Sequence, residues 1–208
     1  MKLQLALDLV TLAEARAILD EVHDLIDIIE IGTPLIIREG VRAITEIKQH
    51  HPSRDVLADI KIMDAGEHEA KLALDAGADI VTVLGAATDT TIQKATATTH
   101  AYQKKVMIDM IAIQDVAPRA RQIEALGVDY ICVHTASDVQ AQGHNPLEDL
   151  KSLQHALNKA RAAVAGGINL DMVQTILPYQ PDIVIVGGAI TTQQQKRPAA
   201  LAIREAIA

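Results

Sequence analysis

Two acids and a base stand close together in one apolar segment of the 208-residue chain, Leu57-Ala58-Asp59-Ile60-Lys61-Ile62-Met63-Asp64. If this segment forms a β-strand, the alternation of side chains points Asp59 and Lys61 to the same face. Burying two charges is costly unless each is paired or binds a ligand. We therefore interpret the segment as part of a candidate site, with a structural ion pair at the end of a strand as the alternative.

Strands that alternate with helices would position such a site. Short apolar runs recur about every 21 to 32 residues, and amphipathic stretches rich in Ala, Glu, Lys and Gln separate them. This alternation predicts an α/β fold, a single (β/α)8 TIM barrel, with residues 1–208 as one catalytic domain. The eight predicted strands are 3–9, 26–32, 56–62, 80–85, 106–111, 130–135, 162–168 and 183–190.

Cap and turn signals agree with this count. Thr11 and Glu14 have the spacing of a capping box and predict the start of the first helix. Gly77 and Gly127 each lie two residues before an aspartate that directly precedes a predicted strand, as expected where a helix ends with positive φ. The longest irregular piece, residues 142–146, follows the sixth strand and is interpreted as a candidate active-site loop.

Polar residues collect where such a barrel places its chemistry. The carboxyl ends of the strands form the active-site face, so side chains at these ends are expected to converge. In chain order the predicted ends supply Asp8, Glu30, Asp59 with Lys61, Gly85, Asp109, His134 with Thr135, Gly166-Gly167, and Gly187-Gly188.

Glu30 and Asp59 end successive predicted strands, so their carboxylates are expected to lie close enough to share a hard divalent cation. Mg²⁺ prefers one or two carboxylates with water and substrate oxygens, and Mn²⁺ accepts similar ligands. Two separate solvated acids are the alternative. Lys61 beside them could neutralise the charge of an enediolate, or it could simply pair with one of the acids.

Four further side chains each have a functional and a structural interpretation. Of eight histidines, His134 is the one that ends a predicted strand, which makes it a candidate general base or a satisfied structural histidine. Asp8 and Asp109 have the reach for sugar hydroxyls, or else for neighbouring backbone. Asp64 lies beyond the strand, where capping of a helix start also explains an acid.

Two glycine pairs, Gly166-Gly167 and Gly187-Gly188, close the seventh and eighth predicted strands. Bare backbone N–H groups at these two strands form the phosphate site of many (β/α)8 barrels. One pair alone would indicate only a turn, but two pairs at the two expected strands indicate phosphate binding. The residues therefore predict a barrel enzyme that acts on a phosphorylated sugar through a metal and an enediolate.

Composition argues against several other classes of protein. The formal net charge of −8 opposes binding to nucleic acid, and a chain with three tyrosines, no Phe and no Trp has few rings to stack on bases. Charge interrupts the N-terminus too early for a secretory signal, and no apolar run approaches about 18 residues, so no membrane segment is expected. Cys132 is the only cysteine, which excludes an intramolecular disulfide. We expect a cytoplasmic protein.

The D-x-K-x-x-D spacing of Asp59, Lys61 and Asp64 resembles the signature of the orotidine 5'-phosphate decarboxylase suprafamily. Over essentially the whole chain, further motifs resemble the 3-hexulose-6-phosphate synthase family within it. These motifs are Leu5-Ala6-Leu7-Asp8, Ile29-Glu30-Ile31-Gly32-Thr33-Pro34, Tyr130-Ile131-Cys132-Val133-His134-Thr135 and Val186-Gly187-Gly188-Ala189-Ile190-Thr191.

The resemblance implies a Mg²⁺-dependent aldol reaction that joins formaldehyde to D-ribulose 5-phosphate and gives D-arabino-hex-3-ulose 6-phosphate. Members of the family are usually homodimers, so Asp64 is expected to act in the neighbouring subunit's site, and a 6-phospho-3-hexuloisomerase is the implied functional partner. The other implied roles are metal ligands for Glu30 and Asp59, stabilisation of a 1,2-enediolate for Lys61, proton transfer for His134, and substrate hydroxyl binding for Asp8 and Asp109.

Two alternatives stay open. The related 3-keto-L-gulonate 6-phosphate decarboxylases carry arginines where this chain has Ser137 and Ala189, so the absence of arginine there favours the aldolase. Synthases commonly have a glycine and an aromatic residue where Ala136 and Ser137 stand, which bears on the aldehyde preference. A sugar-phosphate-binding barrel without catalysis is the third hypothesis, and the complete acid–lysine–acid set argues against it.

Overall fold

Eight parallel strands close into one barrel in chain order, in a computed structural model that describes residues 1–140, 143 and 145–208. The last strand pairs with the first, with Lys2 opposite Ile183, which closes the cylinder. The predicted (β/α)8 fold is therefore confirmed. The strands are β1 (Lys2–Leu7), β2 (Ile28–Ile31), β3 (Asp55–Ile62), β4 (Ile80–Leu84), β5 (Lys105–Asp109), β6 (Tyr130–His134), β7 (Arg161–Ala165) and β8 (Ile183–Val186).

Helices connect the strands and bury their apolar faces against the outside of the barrel. None of the described helices has both the length and the apolar character that crossing a bilayer requires. The helices are α1 (Leu12–Val22), α2 (Thr33–Glu39), α3 (Arg42–His50), α4 (Gly66–Asp75), α5 (Asp89–Ala101), α6 (Val116–Glu124), α7 (Ser137–Gln140), α8 (Leu147–Ala156), α9 (Leu170–Ile176), α10 (Gly188–Thr191) and α11 (Lys196–Ala206).

The predicted caps are present. Thr11 and Glu14 form a reciprocal capping box at the start of α1: the Thr11 N–H donates to Glu14 Oε2 at 2.7 Å, and the Glu14 N–H donates to Thr11 Oγ1 at 3.3 Å. Gly77 and Gly127 have φ of +105° and +83°, as the helix ends require. Residues 142 and 144 of the predicted loop lie outside the described residues.

The predicted end of the eighth strand is wrong. The strand ends at Val186, and the apolar residues Ala189 and Ile190 belong to α10, where Ile190 is fully buried. A short run of apolar residues is expected both in a buried strand and in a buried helix, so the residue pattern could not distinguish the two.

A layer of apolar side chains fills the interior of the barrel and forms the floor of its carboxyl-end mouth. Because side chains on one face of a strand recur every second residue, the next inward position toward the carboxyl end points into the mouth. Each of five interior residues is therefore followed, two positions later, by a polar residue that lines the mouth. These pairs are Ala6 and Asp8, Ile28 and Glu30, Leu57 and Asp59, Met107 and Asp109, and Cys132 and His134.

Candidate active site

A cavity of about 750 Å³ opens at the carboxyl ends of the strands. Its walls bring together residues from all eight strands and from the loops after β7 and β8. Asp64, a predicted catalytic residue, does not line it. The predicted residues that do are Asp8, Glu30, Asp59, Lys61, Asp109, His134, Gly166, Gly167, Gly187 and Gly188.

Lys61 lies between two carboxylates at the centre of the cavity. Its Nζ is 2.6 Å from Asp59 Oδ2 and 3.0 Å from Asp109 Oδ2. Burial alone would lower the pKa of Lys61, but the two carboxylates outweigh burial and raise it, so the ammonium stays charged. Asp59 and Lys61 share the inward face, as predicted. The strand is irregular there, because Lys61 has φ of +47° and the register of β3 on β4 shifts between Ala58 and Ile62.

Two threonines that sequence reasoning missed orient Asp59. The Thr82 hydroxyl donates to Asp59 Oδ1 at 2.8 Å, and the Thr33 hydroxyl donates to Oδ2 at 2.9 Å. Gly85 is the predicted contribution of the fourth strand, but it does not line the cavity. Counting alternate residues from Ile80 would have found Thr82 on the inward face.

His134 is held by Asp109. The distance from His134 Nδ1 to Asp109 Oδ2 is 2.9 Å, and the N–H of Ile111 donates to Asp109 Oδ1 at 2.9 Å. Burial raises the pKa of Asp109, but the hydrogen bond and charge of His134, the charge of Lys61 and the backbone N–H together lower it. An ionised carboxylate only accepts hydrogen bonds, so Nδ1 carries a proton, and in the neutral ring Nε2 is the nitrogen with the lone pair. Substrate hydroxyl binding by Asp109 stays a prediction.

Glu30 is the acid whose ionisation the site opposes most. Burial raises its pKa well above the ordinary value, and the charges of Asp59 and Asp8 raise it further. Burial and Asp59 also raise the pKa of Asp8. Gln4, which sequence reasoning did not select, donates from Nε2 to Glu30 Oε2 at 2.6 Å, while its own buried Oε1 has no partner among the described residues.

The acids of the cavity fit the ligand chemistry of a hard divalent cation. Glu30 Oε1 receives no hydrogen bond from the described residues, and Asp59 Oδ1 receives one, from Thr82. In the described part of the chain no three His, Cys, Asp or Glu side chains are arranged around one point. The protein would therefore supply two carboxylates and leave the remaining positions to water and substrate oxygens, as Mg²⁺ prefers.

The two glycine pairs line the cavity at the ends of β7 and β8. Gly166 has φ of +102°, and a Cβ at this position would lie 2.4 Å from the backbone oxygen of Thr135, so a side chain has no room. No arginine of the described chain lines the cavity. Because Lys61 is already held by two carboxylates, a phosphate would depend on the glycine backbone. Phosphate binding there stays a prediction.

Asp64 lies outside the cavity of its own barrel and is exposed to solvent. Its Oδ1 accepts the N–H of Ala65 at 2.7 Å. Asp64 does not cap the helix as the structural interpretation expected, because Ala65 is the N-cap of α4, with φ of +50°, and no side chain caps it. The role of Asp64 in a neighbouring subunit stays a prediction.

Comparison with known proteins agrees with this arrangement. Residues 1–203 match the family model described as the orotidine 5'-phosphate decarboxylase / HUMPS family. The 3-hexulose-6-phosphate synthase of Bacillus subtilis (strain 168) is 49% identical over 207 residues, which cover 100% of this chain and 99% of the relative.

Solved structures give the same grouping. The 3-hexulose-6-phosphate synthase from Salmonella typhimurium has a TM-score of 0.98 at 47% identity, over 100% of this chain and 98% of the other. The 3-keto-L-gulonate-6-phosphate decarboxylase from Vibrio cholerae O1 biovar El Tor has a TM-score of 0.87 at 26% identity, over 99% and 96%. The chain therefore belongs to the orotidine 5'-phosphate decarboxylase / HUMPS family, where its full-length relatives include proteins named 3-hexulose-6-phosphate synthase.

Proposed function

We propose that the protein is an aldehyde-lyase that joins formaldehyde to D-ribulose 5-phosphate and gives D-arabino-hex-3-ulose 6-phosphate. The observation that carries the proposal is the chain of contacts from Asp59 through Lys61 and Asp109 to His134 in the barrel mouth. It sets a fixed positive charge beside a histidine with a free ring nitrogen. The full-length similarity to proteins named 3-hexulose-6-phosphate synthase supports the choice of substrates.

Proton removal is the first step. His134 Nε2 takes a proton from C1 of D-ribulose 5-phosphate, and the C–H electrons move into a C1–C2 double bond while the C2 carbonyl oxygen becomes negative. The product of this step is a 1,2-enediolate. Asp109 holds the Nδ1–H tautomer and stabilises the imidazolium that forms, so Nε2 faces the substrate as a base. Lys61 supplies the positive charge that stabilises the enediolate oxygens.

Carbon–carbon bond formation completes the reaction. The electrons of the C1–C2 double bond form the new bond from C1 to the carbon of formaldehyde, the C2 oxyanion becomes a carbonyl again, and the electrons of the formaldehyde C=O bond move to its oxygen. The His134 imidazolium returns its proton to that oxygen, which restores the neutral histidine. The glycine backbone at residues 166–167 and 187–188 would hold the phosphate, and Asp8 would hold a sugar hydroxyl.

Glu30 and Asp59 would hold the Mg²⁺ ion, or Mn²⁺ in its place. The ion supplies positive charge to substrate oxygens when it is bound. Gln4 positions the Glu30 carboxylate, and Thr33 and Thr82 position that of Asp59. These contacts fix the direction of the ligand oxygens before the ion arrives, as in other metal sites whose ligands are hydrogen-bonded.

The decarboxylase alternative lacks support in the cavity. Ser137 and Ala189, where the decarboxylases carry arginines, both line it, and no described arginine replaces them from another element. A barrel that binds sugar phosphate without turnover would not need a buried carboxylate to fix the tautomer of His134. Identity to the decarboxylase structure is also lower, 26% against 47% for the synthase structure.

The proposal includes a homodimer in which Asp64 of one subunit enters the site of the other. Asp64 is exposed, lies outside the cavity of its own barrel, and follows Met63, a large apolar side chain that is 51% exposed. A 6-phospho-3-hexuloisomerase would consume the product.

One preparation tested in two assays decides between the functions. We expect loss of formaldehyde when D-ribulose 5-phosphate is supplied, no loss after EDTA treatment, and recovery when Mg²⁺ is restored. We expect no release of CO₂ from 3-keto-L-gulonate 6-phosphate. Release of CO₂ without formaldehyde consumption would assign the decarboxylase, and activity that survives EDTA would remove the metal from the proposal.

A further inference from the structure

A second cavity, of about 300 Å³, lies at the amino end of the barrel, opposite the candidate active site. The first residues of three adjacent strands line it: Lys105 of β5, Tyr130 of β6 and Arg161 of β7. Each of these residues has the inward position of its strand, because the residue two places later lies in the interior layer. The cavity is therefore built by the strands of the barrel, and Lys159 in the turn before β7 adds to its wall.

The lining is rich in hydrogen-bond donors that have no acidic partner. Lys105, Lys159 and Arg161 form no ion pair with any residue the structure describes, in contrast to Lys48 and Lys104, which both pair with Asp79. Lys105 Nζ lies 3.5 Å from the Tyr130 oxygen and 5.8 Å from the centre of its ring. The three cationic residues are exposed, and with the carboxylates of Glu124 and Asp129 they give the lining a net charge of +1 in a chain whose net charge is −8.

The two acids in the wall are already engaged by other donors. Glu124 Oε1 accepts the three consecutive backbone N–H groups of residues 158–160 at 2.7 to 2.8 Å. Burial raises the pKa of Glu124, but these hydrogen bonds outweigh burial and lower it. Asp129 Oδ2 accepts the N–H of Val106 and contacts His100 Nε2, each at 2.9 Å. Neither carboxylate forms an ion pair with the three cations in the described part of the chain.

Tyr130 adds a buried donor. The residue is 1% exposed, its oxygen accepts from Lys105, and its O–H donates to no group of the described chain. A buried hydroxyl whose hydrogen is unused is costly unless a ligand accepts it. Together with two ammonium groups and one guanidinium, the hydroxyl forms a set of donors that fits an anion.

We propose that this amino-end cavity is a second anion site that binds the phosphate group of a small phosphorylated metabolite. Arg161 would contact two phosphate oxygens at once, because a guanidinium matches that geometry, and Lys105 and Lys159 would neutralise the second charge. The Tyr130 O–H would donate to a further oxygen. The site does not depend on the proposed aldolase reaction, since it shares no residue with the active-site cavity.

Amide NMR of the full ¹⁵N-labelled chain tests the site with inorganic phosphate as the probe. At constant ionic strength we expect a saturable shift of the Gly127 amide, separate from any shift at the glycines of the active site. The double variant Lys159→Gln/Arg161→Gln should weaken this binding by about tenfold or more. Lys151→Gln, a neutralised lysine on the exposed face of α8, is the matched control and should bind phosphate as the wild type does.

Tyr130→Phe gives an independent measurement, because it removes one oxygen and keeps the ring. We expect phosphate binding at Gly127 to weaken while the amide spectrum shows an intact barrel. Two results would overturn the proposal: a Gly127 amide that does not saturate up to about 50 mM phosphate, or equal affinity in the wild type and the double variant. An equal response to chloride would also overturn it, because the effect would then be general screening.

Discussion

At the scale of single residues, the charged side chains of the active site form their hydrogen bonds and ion pairs mainly with other protein groups. Lys61 has two carboxylates, Asp59 has two hydroxyls and the lysine, and Asp109 has the histidine, the lysine and a backbone N–H. Donors fixed in this way do not have to reorganise when charge develops on a substrate. Substitutions should therefore affect rates more than the fold.

Lys61→Ala is expected to lower turnover by about 10²- to 10³-fold or more, because a fixed positive charge next to the enediolate is lost. Circular dichroism should show an unchanged fold. Lys71→Ala, which removes an exposed lysine paired with Asp75 on α4, is the matched control and should keep its activity. Turnover of Lys61→Ala within tenfold of wild type would contradict the assigned role.

Asp109→Asn is expected to slow the exchange of the C1 proton of D-ribulose 5-phosphate with deuterated solvent by about 10²-fold. The amide no longer fixes the Nδ1–H tautomer of His134, and it leaves the imidazolium without a counter-charge. His134→Asn should slow the exchange as well. Asp129→Asn changes another aspartate that contacts a histidine, at the opposite end of the barrel, and should leave exchange unchanged. Normal exchange in both active-site variants would move the base to another residue.

Glu30→Gln is expected to change how stability depends on pH in the metal-free protein. The pKa of Glu30 is raised on folding, so its contribution to stability is present below the unfolded value and is lost as pH rises through the folded value. Glutamine stays neutral and avoids that loss. The variant should therefore melt at a higher temperature than the wild type near about pH 8, and the difference should shrink near about pH 4.

Magnesium provides the second half of this measurement. Added Mg²⁺ should raise the melting temperature of the wild type at the higher pH and leave that of Glu30→Gln unchanged, because the variant lacks one ligand. If the melting temperatures of the two proteins differ by the same amount at both pH values, ionisation of Glu30 does not destabilise the folded protein. An equal response of both to Mg²⁺ would remove Glu30 from the metal site.

At the scale of elements, the site residues at the strand ends were predictable because each lies two positions after an apolar residue of the same strand and therefore on the same inward face. Asp8, Glu30, Asp109 and His134 could be placed on this basis. Thr82 was not predicted, because only the last residues before each loop were considered as site residues. The side chain of β4 that points into the cavity is Thr82, which lies three residues before Gly85. The irregular backbone at Lys61 carried no signal, since a positive φ at lysine is rare.

Gly166→Ala tests the loop after β7. The added Cβ would meet the backbone of Thr135 at 2.4 Å and would also have to adopt φ of +102°. We expect the KM for D-ribulose 5-phosphate to rise about tenfold or more, the equivalent of about 1.4 kcal/mol, because the loop moves. Gly127→Ala is the matched control, since it has a similar φ of +83° but open space around the Cβ. An unchanged KM for Gly166→Ala would move phosphate binding elsewhere.

At the scale of the whole molecule, the pattern of residues predicted the barrel and its mouth, but it could not predict which surface forms a subunit interface. The aliphatic runs and their spacing required eight similar βα units, and closure of the sheet followed from that number. A subunit interface depends on which exposed side chains meet another copy, and residues such as Ile37, which is 80% exposed, have no periodic signal that separates an interface from ordinary surface.

Mixing two inactive variants tests the proposed dimer. Lys61→Ala and Asp64→Asn should each be inactive, and after unfolding and refolding together they should regain about a quarter of the wild-type activity. Half of the dimers would then be mixed, with one of their two sites intact. Light scattering should give the mass of a dimer. A mixture that stays inactive, although mixed dimers form, would place Asp64 in its own barrel or outside the reaction.

The sharing of Asp109 Oδ2 by His134 and Lys61 has a consequence for the order of events in the proposed reaction. While the ring is neutral, the carboxylate charge of Asp109 is balanced mainly by the ammonium. Once the ring has captured a proton, two cations share that one carboxylate, so less of the ammonium charge is neutralised and the fixed ammonium attracts the newly formed anion more strongly. One atom thereby synchronises deprotonation with charge stabilisation, and no moving part of the backbone is needed.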